Sequence, residues 1–224
     1  MNPNMTQTDP VAELSELEQL ACILPKSFER QTFIQQNYVQ LKGLLSASFA
    51  EALSSEARCV LSAMHSAESG QYRAPSEQGL TAASNQATRV LAPLLAHLHL
   101  ALIPLVRALT GRLLVPAHAW YNFYMIDDSM GLHIDTEGSE LVLLTTALGD
   151  VGPLHLHPEL RDRTQGELEA IQRHPNWRLE SGVPMDYPRL GLLAHRGHVI
   201  PHHRPGRPVS EPCAVAALHY ASLF

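Results

Sequence analysis

Lysine is nearly missing from this chain: Lys26 and Lys42 are the only two, so arginine carries almost all of the positive charge. Charged residues make up just 17% of the sequence, and the net charge is −6. A nucleic-acid binder ordinarily shows a strong basic footprint, so nucleic acid is not an expected partner. Cysteine is equally sparse. Cys22, Cys59 and Cys213 are odd in number and far apart, which excludes a disulfide framework and a C-x-x-C metal motif and fits a reducing compartment. Long apolar runs are also lacking. The most apolar stretch, 90–106, is broken by Pro93, His97, His99 and Pro104, too short and interrupted for a membrane span. The first ten residues show no basic segment leading into an apolar core, so no secretion signal is expected and the localisation reads as cytoplasmic.

Enough apolar material remains to fold. The 224 residues are 45% hydrophobic, which suits one medium domain with a sizeable core and a helical appendage. Region 1–111 reads as helical. Asp9 and Pro10 offer an N-cap and a first-turn proline for a helix through about Leu24. From Ser27 to about Ser69, Phe33, Ile34, Tyr38, Leu41, Leu45, Phe49, Leu53 and Val60 recur at helical spacing. A break near Ser54 and Ser55 divides this stretch into two helices. A loop over 70–79 precedes another helical run over 81–110, kinked at Pro93 or Pro104 and ended by Gly111.

Region 112–224 changes texture. Short strands are expected near 112–116, 118–126, 139–147, 152–156, 177–180, 190–195, 198–203 and 213–221, many of them separated by turn-prone segments. One helix interrupts them, announced by the capping-box pattern Thr164 to Glu167 before Leu168 and Ile171. The fold class is therefore α+β. So many short strands in so little chain imply a closed or nearly closed antiparallel architecture, a jelly roll or small barrel, with the helices packed against it.

What the chain has in excess is histidine, 13 in all, five of them between His195 and His219. Their placement matters more than their number. His133 and Asp135 are two apart, so in an extended chain both project from one face and can reach one ion. Iron(II) in oxygenases takes two imidazoles and one carboxylate on one face of an octahedron, leaving the other face open. His133 and Asp135 supply two of the three. The third must come from a distant strand, and HRGHVIPHHRPGR follows about seventy residues later.

With Asn122-x-Tyr124 followed nine residues after Tyr124 by His133-x-Asp135, the segment resembles the 2-oxoglutarate/Fe(II) dioxygenase superfamily. It is most similar to the N-x-Y…H-x-D pattern of the AlkB-type members. The resemblance spans roughly residues 112–224 and implies a double-stranded β-helix (jelly-roll or cupin-like) core. It implies Fe(II), 2-oxoglutarate as co-substrate and O2, with hydroxylation of a C–H bond as the outcome. Halogenation is disfavoured, since related halogenases carry a small residue where this chain has Asp135. Asn122 and Tyr124 would contact 2-oxoglutarate. The Pro201-His202 step resembles the one that carries the distal ligand, which favours His202 as third ligand and catalytic residue beside His133 and Asp135. His198 and His203 remain open as alternatives.

Family members place an arginine or lysine some nine or more residues past the distal histidine, to pair with the 2-oxoglutarate carboxylate. Here only Arg204 and Arg207 follow His202, and the final strand has neither. Arg207 is the expected carboxylate partner, with Arg112 and Arg196 as alternatives from other strands. An iron oxygenase that does without 2-oxoglutarate is the second reading. A non-catalytic cupin-like module binding Zn or Ni is the third.

Other positions have ordinary readings. His155 and His157 are expected in structural or substrate-facing roles, Trp120 in the core, and Cys213 as a small core residue. Asp127, Asp128, Arg161 and Arg163 are expected to be solvated. The expected partner is a small polar metabolite, such as an amino acid or a biosynthetic intermediate. No membrane is expected, and a homodimer through the N-terminal helices stays open.

Overall fold

The computed structural model describes residues 10–66, 85–88, 92–124, 128–178, 180–206 and 211–223. Asp9, the 70–79 loop, Asp127 and Arg207 lie outside them. The N-terminal part opens with α1 (Pro10–Leu20) and α2 (Ser27–Gln36), but the chain then turns into a strand, β1 (Tyr38–Lys42). The expected break near Ser54 is absent. The helical run instead ends at Asn37, whose left-handed backbone (φ 65°) caps α2 while its N–H bonds to the Phe33 carbonyl. α3 (Ala47–Ser66) then runs unbroken past Ser54 and Ser55.

A second strand, β2 (Asn85–Thr88), stands where helix was expected. It is followed by α4 (Pro93–Ala101) and α5 (Ile103–Thr110). Both prolines sit in first turns, where a missing N–H costs little, and the bend of 41° falls between them at Leu102. Gly111 closes α5 in the left-handed conformation (φ 68°), as its position predicts. No single helix among the described residues is long and apolar enough to cross a membrane.

The second part supplies β3 (Val115–Tyr124), β4 (Met130–His133), β5 (Leu141–Leu148), β6 (Leu154–Leu156), α6 (Gln165–Arg173), β7 (Val183–Met185), β8 (Gly191–His195), β9 (His202–Arg204) and β10 (Cys213–Ala221). The strands expected at 112–116 and 118–126 are one strand, β3. The strand expected at 177–180 forms later, as β7, and the strand expected from 198 begins only at His202, after a turn and bend over 197–200. The capping box at Thr164 forms as predicted, with its hydroxyl and the Glu167 carboxylate each meeting the other's backbone N–H.

These strands form two antiparallel sheets. One has the order β1-β8-β5-β10-β3-β2, the other β4-β9-β6-β7, and the chain passes repeatedly between them. Strand alternation gives each face of the larger sheet its own core. Tyr121, Phe123, Leu141, Leu143, Ala214, Ala216 and Leu218 turn outward and bury against helices α1 to α5. Tyr124, Val142, Leu144, Val215 and Ala217 turn inward and pack with Leu154, Leu156 and Ile200. The N-terminal region is thus less helical than expected, and it shares its core with the sheet. α6 covers the outer edge of β4, where Gln172 and Gln165 accept from the backbone of Leu132 and Ile134 (2.9 and 3.3 Å).

Candidate metal centre

The inward face of β3 carries Trp120, Asn122 and Tyr124, as the alternation requires. These side chains line a cleft between the sheets that encloses about 490 Å³ counted out to its mouth. His133, Asp135 and His202 line the same cleft. His133 closes β4, His202 opens β9, and the two are direct partners in the antiparallel ladder. That pairing explains why residues so far apart in sequence meet.

The donor atoms of the three residues all lie within 4.8 Å of one another. Asp135 Oδ1 is 3.6 Å from His133 Nε2 and 3.8 Å from His202 Nε2. A divalent ion with bonds of about 2 Å can span such separations. The tautomers suit it too. His133 Nδ1 lies 2.8 Å from the Gly131 carbonyl, and His202 Nδ1 lies 2.9 Å from that of Ile200. A carbonyl only accepts, so each Nδ1 donates and each Nε2 keeps its lone pair toward the shared point. Two imidazole nitrogens and a carboxylate on one side fit Fe(II) by donor type.

Asp135 is held on both sides. Its N–H donates to the Gly197 carbonyl (2.9 Å), and a Cβ on Gly197 would overlap its carboxylate. Burial works against its charge, but His202, His133 and His219 together hold its pKa well below the usual carboxylate range. Burial also lowers His133, yet Asp135 outweighs it and the net shift is upward. His202 shifts well down, through burial first and the neighbouring His133 second.

The alternative ligands stand apart. His198 lies in the turn after β8 with Nδ1 directed at the Ser139 carbonyl (3.3 Å). His203 faces away from the cleft, and its Nδ1 is 3.0 Å from His157 Nε2. His155 and His157 are buried on that same far face, where His157 Nδ1 meets Glu159 (2.9 Å) and His155 Nδ1 meets the Ser181 carbonyl. Both are thus buried and hydrogen-bonded away from the cleft.

Of the expected cofactor residues, Asn122 and Tyr124 line the cleft, and Asn122 Oδ1 is buried there with no partner among the described residues. Arg112 pairs with Glu140 and Ser222 at the surface. Arg196 lies over the Phe33 ring at 5.7 Å, so neither alternative arginine reaches the cleft. Asp128 is half-buried rather than solvated, whereas Arg161 and Arg163 are exposed as expected. Cys213 is buried in the inner core, also as expected.

Sequence reasoning missed four neighbours of this cleft. His195 packs edge-on against His202 with ring centroids 4.8 Å apart. His219 lies on Trp120 (4.6 Å) and bonds through Nδ1 to Ser139 Oγ (2.8 Å). Trp120, assigned to the core, lines the cleft as well. Burial drives the pKa of both His195 and His219 down to about 4, so they are neutral at ordinary pH. The fourth is Arg204, fully buried beside Tyr124. Parity with His202, two residues before it, was the available signal.

No protein-family model matches the sequence, and no curated protein matches it either. Solved structures do match the fold. AviO1 from Streptomyces viridochromogenes Tue57 superposes with a TM-score of 0.69 at 14% identity, over 90% of this chain and 96% of that one. SnoK, a non-haem alpha-ketoglutarate-dependent carbocyclase from nogalamycin biosynthesis, gives 0.65 at 13% identity over 89% and 85%. HygX from Streptomyces hygroscopicus, with nickel and 2-oxoglutarate bound, gives 0.61 at 13% identity over 90% and 89%. The chain therefore has the fold of non-haem 2-oxoglutarate-dependent enzymes.

Proposed function

We propose that this protein is a non-haem Fe(II) oxygenase that uses 2-oxoglutarate and O2 to hydroxylate a C–H bond of a small polar metabolite, on a double-stranded β-helix core. The observation that carries the reading is the convergence of two Nε2 atoms and one carboxylate on the wall of an inter-sheet cleft. The bound iron would supply the oxidising chemistry, coupling decarboxylation of 2-oxoglutarate to succinate with oxidation of the substrate.

The protein's own residues do the rest. His133, Asp135 and His202 would hold the metal from one side, through two imidazole nitrogens and a carboxylate that line the cleft. Gly197 lets the Asp135 carboxylate pack close, and the two carbonyl-bound Nδ1 atoms fix the imidazole planes. Asn122 and Tyr124 present polar atoms to the co-substrate along the wall. Leu144, Val215 and Trp120 exclude water, and the neutral rings of His195 and His219 add no competing charge. The supporting structures include enzymes of this cofactor class, and the acidic composition favours a metabolite over nucleic acid.

An anaerobic titration tests the reading. Fe(II) followed by 2-oxoglutarate should give a visible charge-transfer band, and His133→Ala or Asp135→Ala should abolish it by removing the iron. Iron binding without a band favours a 2-oxoglutarate-independent oxygenase. Iron affinity untouched by both substitutions sinks the metal site. A succinate-release screen across amino acids then narrows the substrate.

A further inference from the structure

Arg204 is a buried cation packed behind Tyr124, a residue of the cleft wall, and its surroundings are unusual. It is 1% exposed. Its Nε donates to the Val151 carbonyl (3.0 Å) and its Nη1 to the Asp128 carbonyl (2.6 Å), while Nη2 is buried with no partner among the described residues. No described carboxylate forms an ion pair with it. The guanidinium lies over the Tyr124 ring at 4.0 Å, and Tyr124 itself lines the cleft. A buried guanidinium without counter-charge is costly, and two neutral carbonyls offset only part of that cost. They do lock the plane of the group, which fixes where Nη2 points.

The final strand offers nothing in its place. β10 turns Cys213, Val215 and Ala217 inward, none of them a cation. Arg204 instead comes from β9, two residues past His202 and on the same face of the strand. Across the ladder it faces Met130, just as His202 faces His133. Two strand residues span about 7 Å, close to the length of an extended five-carbon chain. A dicarboxylate lying along β9 with one end at the metal would bring its other end to Arg204.

We propose that Arg204 receives the distal carboxylate of a five-carbon 2-oxo dicarboxylate, so that one strand carries both a metal ligand and the anion clamp. The inference rests on the iron/2-oxoglutarate reading and adds a residue and a length selection to it. Tyr124 supplies the stacking surface that holds the guanidinium flat. The clamp selects for both the second carboxylate and its distance from the first.

The test is binding, not turnover. The full chain is loaded anaerobically with Fe(II) and titrated with 2-oxoglutarate, oxaloacetate, 2-oxoadipate and the monocarboxylate 2-oxovalerate, by calorimetry and the charge-transfer band. Wild type should bind 2-oxoglutarate at least about 10-fold more tightly than each of the others. Arg204→Met should weaken 2-oxoglutarate by at least about 30-fold, the loss expected for one partner of a buried charge pair, with iron affinity within about threefold of wild type. It should also erase the preference over 2-oxovalerate. Arg204→Lys should fall between, because it keeps the charge and loses the fork. Equal 2-oxoglutarate affinity in Arg204→Met overturns the role of Arg204 alone. If Arg204→Met does not fold, Arg204→Lys at wild-type affinity, or wild type binding 2-oxovalerate as tightly as 2-oxoglutarate, overturns it. Wild type that binds neither iron nor 2-oxoglutarate overturns the underlying reading, and this one with it.

Discussion

Gly197 and Asp135 are in contact in a way that leaves no room for a side chain at 197: the Asp135 N–H bonds to the Gly197 carbonyl, and a Cβ there would overlap the carboxylate and crowd Val142. Gly197→Ala should therefore act as a metal-site mutation without touching a ligand. Displacing an oriented ligand through its support typically costs about 10–100-fold in metal affinity. Calorimetric titration with Mn(II) or Fe(II) should read a loss of that size, with secondary structure unchanged by circular dichroism. Wild-type affinity in the variant would mean that Asp135 is not positioned by this contact.

Asn122, on the cleft wall, has a buried Oδ1 with no partner among the described residues. Leaving a buried polar group unpaired costs about 1–3 kcal/mol. Asn122→Leu should then leave the metal-loaded protein as stable as wild type or slightly more stable, while weakening 2-oxoglutarate about 10-fold. The opposite signs of the two effects separate a binding role from a packing role. A large stability loss with unaltered binding would assign Asn122 to the core.

Two of the candidate metal residues were legible because a strand forces i and i+2 onto one face, so His133-x-Asp135 and Asn122-x-Tyr124 each declare a shared direction. His202 gained its place only through the β4–β9 pairing, which no local pattern encodes. Arg204 shares that parity with His202, whereas Arg207, the carboxylate partner that the resemblance implies, lies outside the described residues. The N-terminal strand was hidden for a different reason. Phe33, Tyr38 and Leu41 fit a helical period, while Val39 and Leu41 also fit alternation, and pairing with β8 decides in favour of the strand. Ile34, counted as a core residue of that helix, is 54% exposed. β4 was missed because four residues containing a glycine carry almost no strand signal.

His195 and His219 should make the metal-free protein acid-sensitive. Burial lowers both pKa values from 6.5 to about 4, so between those values the unfolded chain binds more protons than the folded one. Stability is complete above about pH 6.5 and falls as pH drops toward 4, by about 3 kcal/mol for each histidine. Urea denaturation of chelator-treated protein from pH 7 to 4 should show this slope. Because His202 is pushed down as well and adds to the slope, His219→Asn, which can keep the bond to Ser139, should flatten it only by the His219 share of about 3 kcal/mol. An unchanged slope in the variant would remove His219 from the account.

Glu56 of α3 does the capping that the sequence before α4 does not provide. Ala92 offers no side-chain cap, and the Glu56 carboxylate accepts instead from the N–H groups of Leu94 (2.6 Å) and Leu95 (3.0 Å) and from the Tyr121 hydroxyl (2.7 Å). One carboxylate thus ties α3, α4 and β3 together, and its charge sits where the helix N-terminus favours an anion. Burial, with the adjacent Glu56 second, pushes the Tyr121 phenol well up, so it stays a donor. Glu56→Ala strands three donors at once and should cost about 2–4 kcal/mol in urea denaturation. Glu56→Gln, which still accepts through one oxygen, should lose less. Tyr121 points away from the cleft while Trp120 and Asn122 point into it, so iron affinity in the folded variant should stay near wild type. A fall in iron affinity at unchanged stability would show that this tie positions the metal site and not merely the helices.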